Sequence, residues 1–188
     1  MPVSASVEHL LGQLNKDQAA PLQIHYATTT VTKPGVKLTR AASKDAPTYS
    51  VSSSVLKNKD TKYILVAIDL DAPFVALPVL GPICHLIQTD LVASGEADAD
   101  GYVKLDAGSV APLAAYVAPR PPPLSGPHRY VFLLWEQPAD KDAEKIRSEA
   151  GLAKEVSMPG RMWWDEAKFE EKVGLPTESL AGNYFVAN

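Results

Sequence analysis

A mainly β fold, an antiparallel β core with a few peripheral helices, is predicted by three observations. Short apolar runs of strand length recur along the chain, and no regular alternation of strands and helices separates them. Sixteen prolines among 188 residues also break up long helices, because a prolyl ring fixes φ and removes a backbone donor.

The elements follow in order. Val7, Leu10, Leu11 and Leu14 recur at i, i+3, i+4 and i+7 behind a capping Ser6, so residues 1–20 read as an N-terminal helical extension. Extended segments are expected at 21–26, 48–51 and 63–68, separated by Pro34 and Gly35 and by a polar turn at 57–60. Residues 83–89 are a further buried-strand candidate, and the acidic, aperiodic stretch 94–101 is a solvated loop. After the Pro-rich segment 118–123 comes the most strand-like run, 128–137. Asp140 is placed to cap a helix presenting Ala143, Ile146 and Ala150 and ended by Gly151. Asp165 is placed to cap another, with Phe169 and Val173 on one face and Gly174 at its end. Residues 181–187 close the chain as a strand.

One domain spanning 1–188 is the expectation for this length. A net charge of −4 with no basic tract argues against nucleic acid as a partner. The single cysteine, Cys84, excludes an internal disulfide, and the absence of a secretory pattern at the N-terminus points to a cytoplasmic protein. The longest apolar stretch, 74–83, is interrupted by Pro78 and Pro82 and falls short of the ~20 residues of a transmembrane segment.

Period-two geometry orients the polar residues. Asp69 and Asp71 project to one side of an extended chain, as do His128 and Tyr130, with Arg129 opposite. Cys84 and His85 face opposite ways, so they do not form a nucleophile–base pair and Cys84 reads as a buried structural thiol. Taken singly, each of these residues has a structural explanation: turn-capping aspartates, core histidines, a half-buried tyrosine.

Together they carry a resemblance. The runs Asp-Leu-Asp-Ala-Pro at 69–73, Cys-His-Leu at 84–86, Tyr-Val-Ala-Pro-Arg-Pro-Pro at 116–122 and Gly-Pro-His-Arg-Tyr-Val-Phe-Leu-Leu at 126–134 resemble the phosphatidylethanolamine-binding protein family. That family includes the Raf kinase inhibitors, the plant flowering-signal proteins and the fungal carboxypeptidase Y inhibitors, and the match is closest to the fungal branch. Order and spacing agree from about residue 21 to 187, through Arg161, Phe169, Leu175 and the terminal Leu-Ala-Gly-Asn-Tyr-Phe at 180–185. The resemblance implies an antiparallel β-sandwich-like domain with a surface anion pocket formed by Asp69, Asp71, His85, Pro119, His128 and Tyr130, and a cis Ala72–Pro73 bond. Two imidazoles and a phenol would offer donors to a phosphate or carboxylate, with the aspartates orienting the histidines. No metal or other cofactor is expected, and the implied activity is binding or regulation of a small anionic ligand, a phospholipid head group, a serine carboxypeptidase or a kinase. The alternative is an enzyme of fungal secondary metabolism, with His85 or His128 as general base, Asp69 as its orienter and a polyketide-like apolar substrate.

The sequence departs from the family pattern in several places. The uncharged stretch 74–83 stands where relatives usually carry polar residues, Leu70 replaces a proline, and Ala118 and Leu124 stand where relatives often have glycine. A buried loop and a surface for an apolar partner are equal expectations for 74–83. Trp163 and Trp164, beside a helix start, are expected to be core anchors.

Overall fold

The computed structural model describes residues 3–58 and 60–188; Met1 and Pro2 of the N-terminal extension and Lys59 of the turn read at 57–60 lie outside them. Within that range the strands are β1 (Leu22–Tyr26), β2 (Thr29–Val31), β3 (Val36–Leu38), β4 (Thr48–Ser52), β5 (Lys62–Asp69), β6 (Ile83–Ser94), β7 (Tyr102–Asp106), β8 (His128–Glu136) and β9 (Ala181–Ala187). They form one sheet in the order β2-β1-β4-β7-β6-β5-β8-β9-β3. The pairs are antiparallel except β3 beside β9, which is parallel.

Alternation along the central strands sets the layers. From β5 and β8, Tyr63, Leu65, Tyr130, Phe132 and Leu134 turn into the concave side and pack with Phe185 of β9. Ile64, Val66, Val131, Leu133 and Trp135 turn outward, where three helices cover them: α1 (Ala5–Gln13), α2 (Ala143–Ala150) and α3 (Glu166–Val173). Both faces are thus dry, which is why these strands read as continuous apolar runs rather than alternating ones. The sheet curls until it nearly closes. Asn183 of β9, fully buried, donates from Nδ2 to the carbonyls of Leu22 and Val31 at 2.8 and 3.0 Å, joining the β1–β2 edge to β9.

The helices seat on the outer face through Val7 and Leu10, Ile146, and Phe169 and Val173, each buried side chain of this kind contributing about 1.5–3 kcal/mol. Under α1, a Cβ on Gly182 would collide with a Leu10 methyl and lie 2.7 Å from the Phe132 carbonyl oxygen, so the strand must be bare where the helix crosses it.

Two caps differ from expectation. The first helix begins behind Ser4, not Ser6; Ser6 is buried in its first turn, with its hydroxyl 2.9 Å from that of Ser4. The second is capped by Asp142, whose Oδ1 accepts from the Lys145 amide at 2.8 Å, while Asp140 pairs with the Lys145 ammonium at 2.9 Å. Asp165 caps α3, and Gly151 and Gly174 end α2 and α3 with φ of 71° and 76°, where glycine carries no Cβ penalty. Strands β2, β3 and β7, three to five residues long, lie outside the segments read from sequence.

The stretch 74–83 divides: Phe74, Val75, Leu77 and Val79 are exposed, whereas Gly81, Pro82 and Ile83 are buried. Trp164 anchors the outer core as expected, whereas its neighbour Trp163 is exposed. No helix among the described residues is long and apolar enough to cross a membrane.

Candidate functional site

Three strand ends meet at one rim of the sheet. β5 ends at Asp69, which lies opposite Tyr130 of β8 on one side and Ile83 of β6 on the other. His128 opens β8, and its Nδ1 donates to Asp69 Oδ2 at 2.8 Å, both groups buried. The other oxygen, Asp69 Oδ1, accepts from the Asp71 amide at 2.9 Å, which fixes the carboxylate's orientation.

His85 arrives by a different device. Ala67 pairs with Leu86 but Ile68 pairs with Cys84, so His85 is the extra residue of a β-bulge. Such a bulge re-aims a side chain, and His85 turns toward Tyr130, ring edge to ring face at 5.1 Å, away from the outer cluster that holds Cys84. Its Nδ1 lies 2.6 Å from the Val117 carbonyl. A carbonyl only accepts, so Nδ1 carries the hydrogen, and in a neutral ring Nε2 is left as an acceptor.

The two imidazoles are pushed in opposite directions. Burial holds the His85 pKa below its ordinary value, the Val117 bond opposing only in part, so His85 is neutral. Burial also works against charge on His128, but the hydrogen bond to Asp69 and the charges of Asp69 and Asp71 outweigh it and raise its pKa. His128 Nε2, buried and making no well-formed hydrogen bond, becomes a charged donor when the ring protonates, which the Pro73 carbonyl also favours. Tyr130 is held protonated by burial and by the neighbouring Asp69 charge, and its ring stacks on His128 with centroids 6.4 Å apart. The expectation of donors only is corrected at His85, which offers an acceptor.

Asp69, His85 and His128 line a cleft of about 610 Å³, walled by Ile83, Leu80, Val117 and Met158 and with exposed Lys44 and Arg120 at its mouth. Tyr130 stands behind the imidazoles. Asp71 is turned away: both of its oxygens are taken by Arg129, through the backbone amide at 2.8 Å, Nε at 2.9 Å and Nη2 at 2.6 Å. The two aspartates thus serve opposite sides of β8, because the strand stops at Asp69 and alternation no longer applies at Asp71. Pro119 is buried in the wall, whose neighbouring residues Ala118 and Arg120 reach the cleft. That wall is pinned by Tyr116, which donates to the Ser43 carbonyl at 2.7 Å, and by Arg40, which donates to the Pro121 carbonyl.

The Ala72–Pro73 bond is cis, and so is Gly81–Pro82. Cys84 is fully buried and its thiol pKa is pushed up by burial, leaving it unreactive. Among the described residues no three His, Cys, Asp or Glu side chains are placed to hold a metal ion together. Lys44 and Met158 were missed from sequence, since neither lies near a motif; Arg120 lay in view, inside the Pro-rich run.

Comparison with known proteins places the chain in a family. Residues 22–185 match the family model described as phosphatidylethanolamine-binding protein. The phomoidride biosynthesis cluster protein N of Talaromyces stipitatus is 33% identical over 128 residues, 66% of this chain and 58% of that protein. The carboxypeptidase Y inhibitor of Saccharomyces cerevisiae is 34% identical over 102 residues, 50% of this chain and 47% of that protein. The chain thus spans about half the length of the curated relatives it matches. Among solved structures, the carboxypeptidase Y inhibitor complexed with its cognate proteinase superposes with a TM-score of 0.71 at 22% identity, covering 98% of this chain and 93% of that one. A phosphatidylethanolamine-binding protein from Plasmodium vivax superposes with a TM-score of 0.60 at 16% identity, covering 100% and 98%. With the family model matching most of its length, the chain belongs to the phosphatidylethanolamine-binding protein family.

Proposed function

We propose that this protein binds and regulates, its cleft taking a phosphate- or carboxylate-bearing group. The observation that carries the reading is the complementary pair of imidazoles: His128, favoured in its charged, donating form by Asp69, and His85, left with an acceptor at Nε2, beneath a mouth bearing Lys44 and Arg120. A phosphate bearing one proton suits both, accepting from His128 and donating its P–OH to His85, while the cations at the mouth favour its negative charge. Asp69 acts through His128, holding its ring and its charge. The test is calorimetric titration with phosphate and phosphoethanolamine of the wild-type protein and a His128→Ala variant. Saturable binding lost in the variant supports the reading; no binding by the wild type overturns it.

A regulatory outlet comes from the relatives, one of which is named as a carboxypeptidase Y inhibitor. We take a serine carboxypeptidase as the protein partner, and full activity of such an enzyme at saturating inhibitor would remove that branch.

The buried Asp69–His128 pair at 2.8 Å also favours a second reading, acid–base catalysis on an apolar metabolite, and one relative is named for a biosynthesis cluster. On that reading His128 acts in its neutral form, with Nδ1–H held by Asp69 and Nε2 taking the proton. Exchange of deuterium into the acidic carbon of a polyketide-like diketone, abolished by His128→Ala, would establish it, whereas exchange at the buffer rate would exclude it for that substrate class.

A further inference from the structure

The cleft's mouth is bordered by an apolar rim that folding does not explain. The loop 74–80 is tied down on both flanks: the Val75 amide donates to the Ser125 carbonyl at 3.2 Å, and Trp163 donates from its amide to Leu80 at 3.2 Å and from Nε1 to Val79 at 2.8 Å. Its side chains nevertheless face water. Leu77 is 60% exposed, Val79 55% and Trp163 53%, and Leu124 is wholly exposed. Leu80 and Met158 line the cleft itself, so the rim is continuous with it.

Two rim residues also sit in backbone that disfavours them. Leu124 has φ of 65° and Trp163 φ of 53°; the third such non-glycine residue among those described is Asp90, far from the rim in sequence and within a β-bulge. Glycine adopts this region without penalty. Large apolar side chains kept there, in solvent, point to a contact made outside the fold. The partner must also suit Lys44 and Arg120, the cations at the same mouth.

Resting on the head-group reading above, we propose that the ligand is a single-chain anionic amphiphile, an alkyl or acyl phosphate or carboxylate. Its head lies against His85 and His128, and its chain leaves past Leu80 and Met158 onto Leu77, Val79 and Trp163. Cations and apolar side chains in one continuous surface match both ends of such a molecule, whereas a free polar anion leaves the rim uncovered.

The experiment titrates the intact protein with inorganic phosphate, then methyl, butyl and octyl phosphate below their micellar concentrations. Burial of one side of the chain predicts about a twofold gain per methylene, half the roughly fourfold of complete burial, and so about a hundredfold from methyl to octyl. Octyl phosphate shifts the tryptophan emission to the blue and inorganic phosphate does not, since Trp135 and Trp164 are already buried. A Leu77→Ser, Val79→Ser variant, altered only at exposed positions that do not line the cleft, keeps the affinity for methyl phosphate and loses most of the chain-length gain. Affinity independent of chain length, or equal binding of octyltrimethylammonium, overturns the proposal while leaving the head-group reading intact. Failure of phosphate and methyl phosphate to bind overturns the head-group reading instead. Tight binding to phosphatidylserine vesicles without binding of octyl phosphate would make a bilayer the occupant and would also overturn the proposal.

Discussion

The Asp69→Asn substitution tests the charge asymmetry of the cleft with almost no change of shape. The carboxamide keeps an oxygen for the Asp71 amide, which Asp69 Oδ1 accepts at 2.9 Å, but lacks the negative charge 2.8 Å from His128 Nδ1. Burial then acts on His128 against little opposition, and its pKa falls instead of rising. The new amide group can donate to Nδ1, so the ring still presents Nε2–H, and what is lost is the charge rather than the donor. Charge raises a hydrogen bond from about 0.5–1.5 to about 1.5–3 kcal/mol, so loss of the charge alone is expected to lower phosphate affinity at neutral pH about five- to tenfold. The stability effect has a definite sign. A histidine whose pKa is raised by folding stabilises most below its unfolded value, near 6.5, and that stabilisation is lost as pH rises through the folded value. The variant's deficit is therefore expected to be largest near pH 6 and to shrink toward pH 9, and its ceiling is the ~3–5 kcal/mol typical of breaking a buried pair. NMR titration of the histidine ring nitrogens reads the pKa directly, and urea unfolding across pH reads the stability. An unmoved His128 titration together with wild-type phosphate affinity would refute the reasoning.

Glu166 is buried with Oε1 unpartnered, and burial pushes its pKa to about 8. Its neutral form is stabilising below the ordinary value of 4.5, and stability is lost as pH climbs to about 8, by up to about 5 kcal/mol. Glu166→Gln keeps an acceptor for Trp164 Nε1 and should be the more stable protein at pH 8 but not at pH 4.5; parallel stability–pH curves from denaturant melts would contradict this. Gly182→Ala drives a methyl into Leu10 and the Phe132 carbonyl, so a loss of about 1–3 kcal/mol is expected in urea unfolding, and an unchanged midpoint would show that α1 does not press on β9. Leu124→Gly relieves the φ of 65° while giving up only a fully exposed side chain. Stability should be unchanged or higher by up to about 1 kcal/mol, with weaker octyl phosphate binding; a clear loss of stability would mean that the side chain packs.

Local pattern suffices for some parts of this chain. Residues 63–68 and 128–134, runs long enough to be buried on both faces, declare their strands by composition alone. Alternation then correctly places His128 beside Tyr130 and Arg129 opposite, because both neighbours remain inside one straight strand. The helix-ending Gly151 and Gly174 are equally legible, since a left-handed residue after an apolar period has few other uses.

Alternation fails where pairing partners intervene. Asp71 lies beyond the end of β5 and is claimed by Arg129, and no local pattern reports that capture. The bulge that turns His85 toward the cleft exists only in the register between β5 and β6, and the opposite charge preferences of the two histidines follow from their different neighbours, Val117 and Asp69. Lys44 joins the mouth from a distant turn with no motif to announce it. Composition also left the loop 74–83 undecided, because apolar side chains look alike whether the fold covers them or leaves them out. Covering depends on what the rest of the chain places above them, and here it leaves Leu77 and Val79 in solvent at the mouth of the cleft. Residue type and local period determined the strands, the helices and the chemistry on offer. Only long-range register decided which groups face one another, because pairing and burial belong to contacts between distant segments.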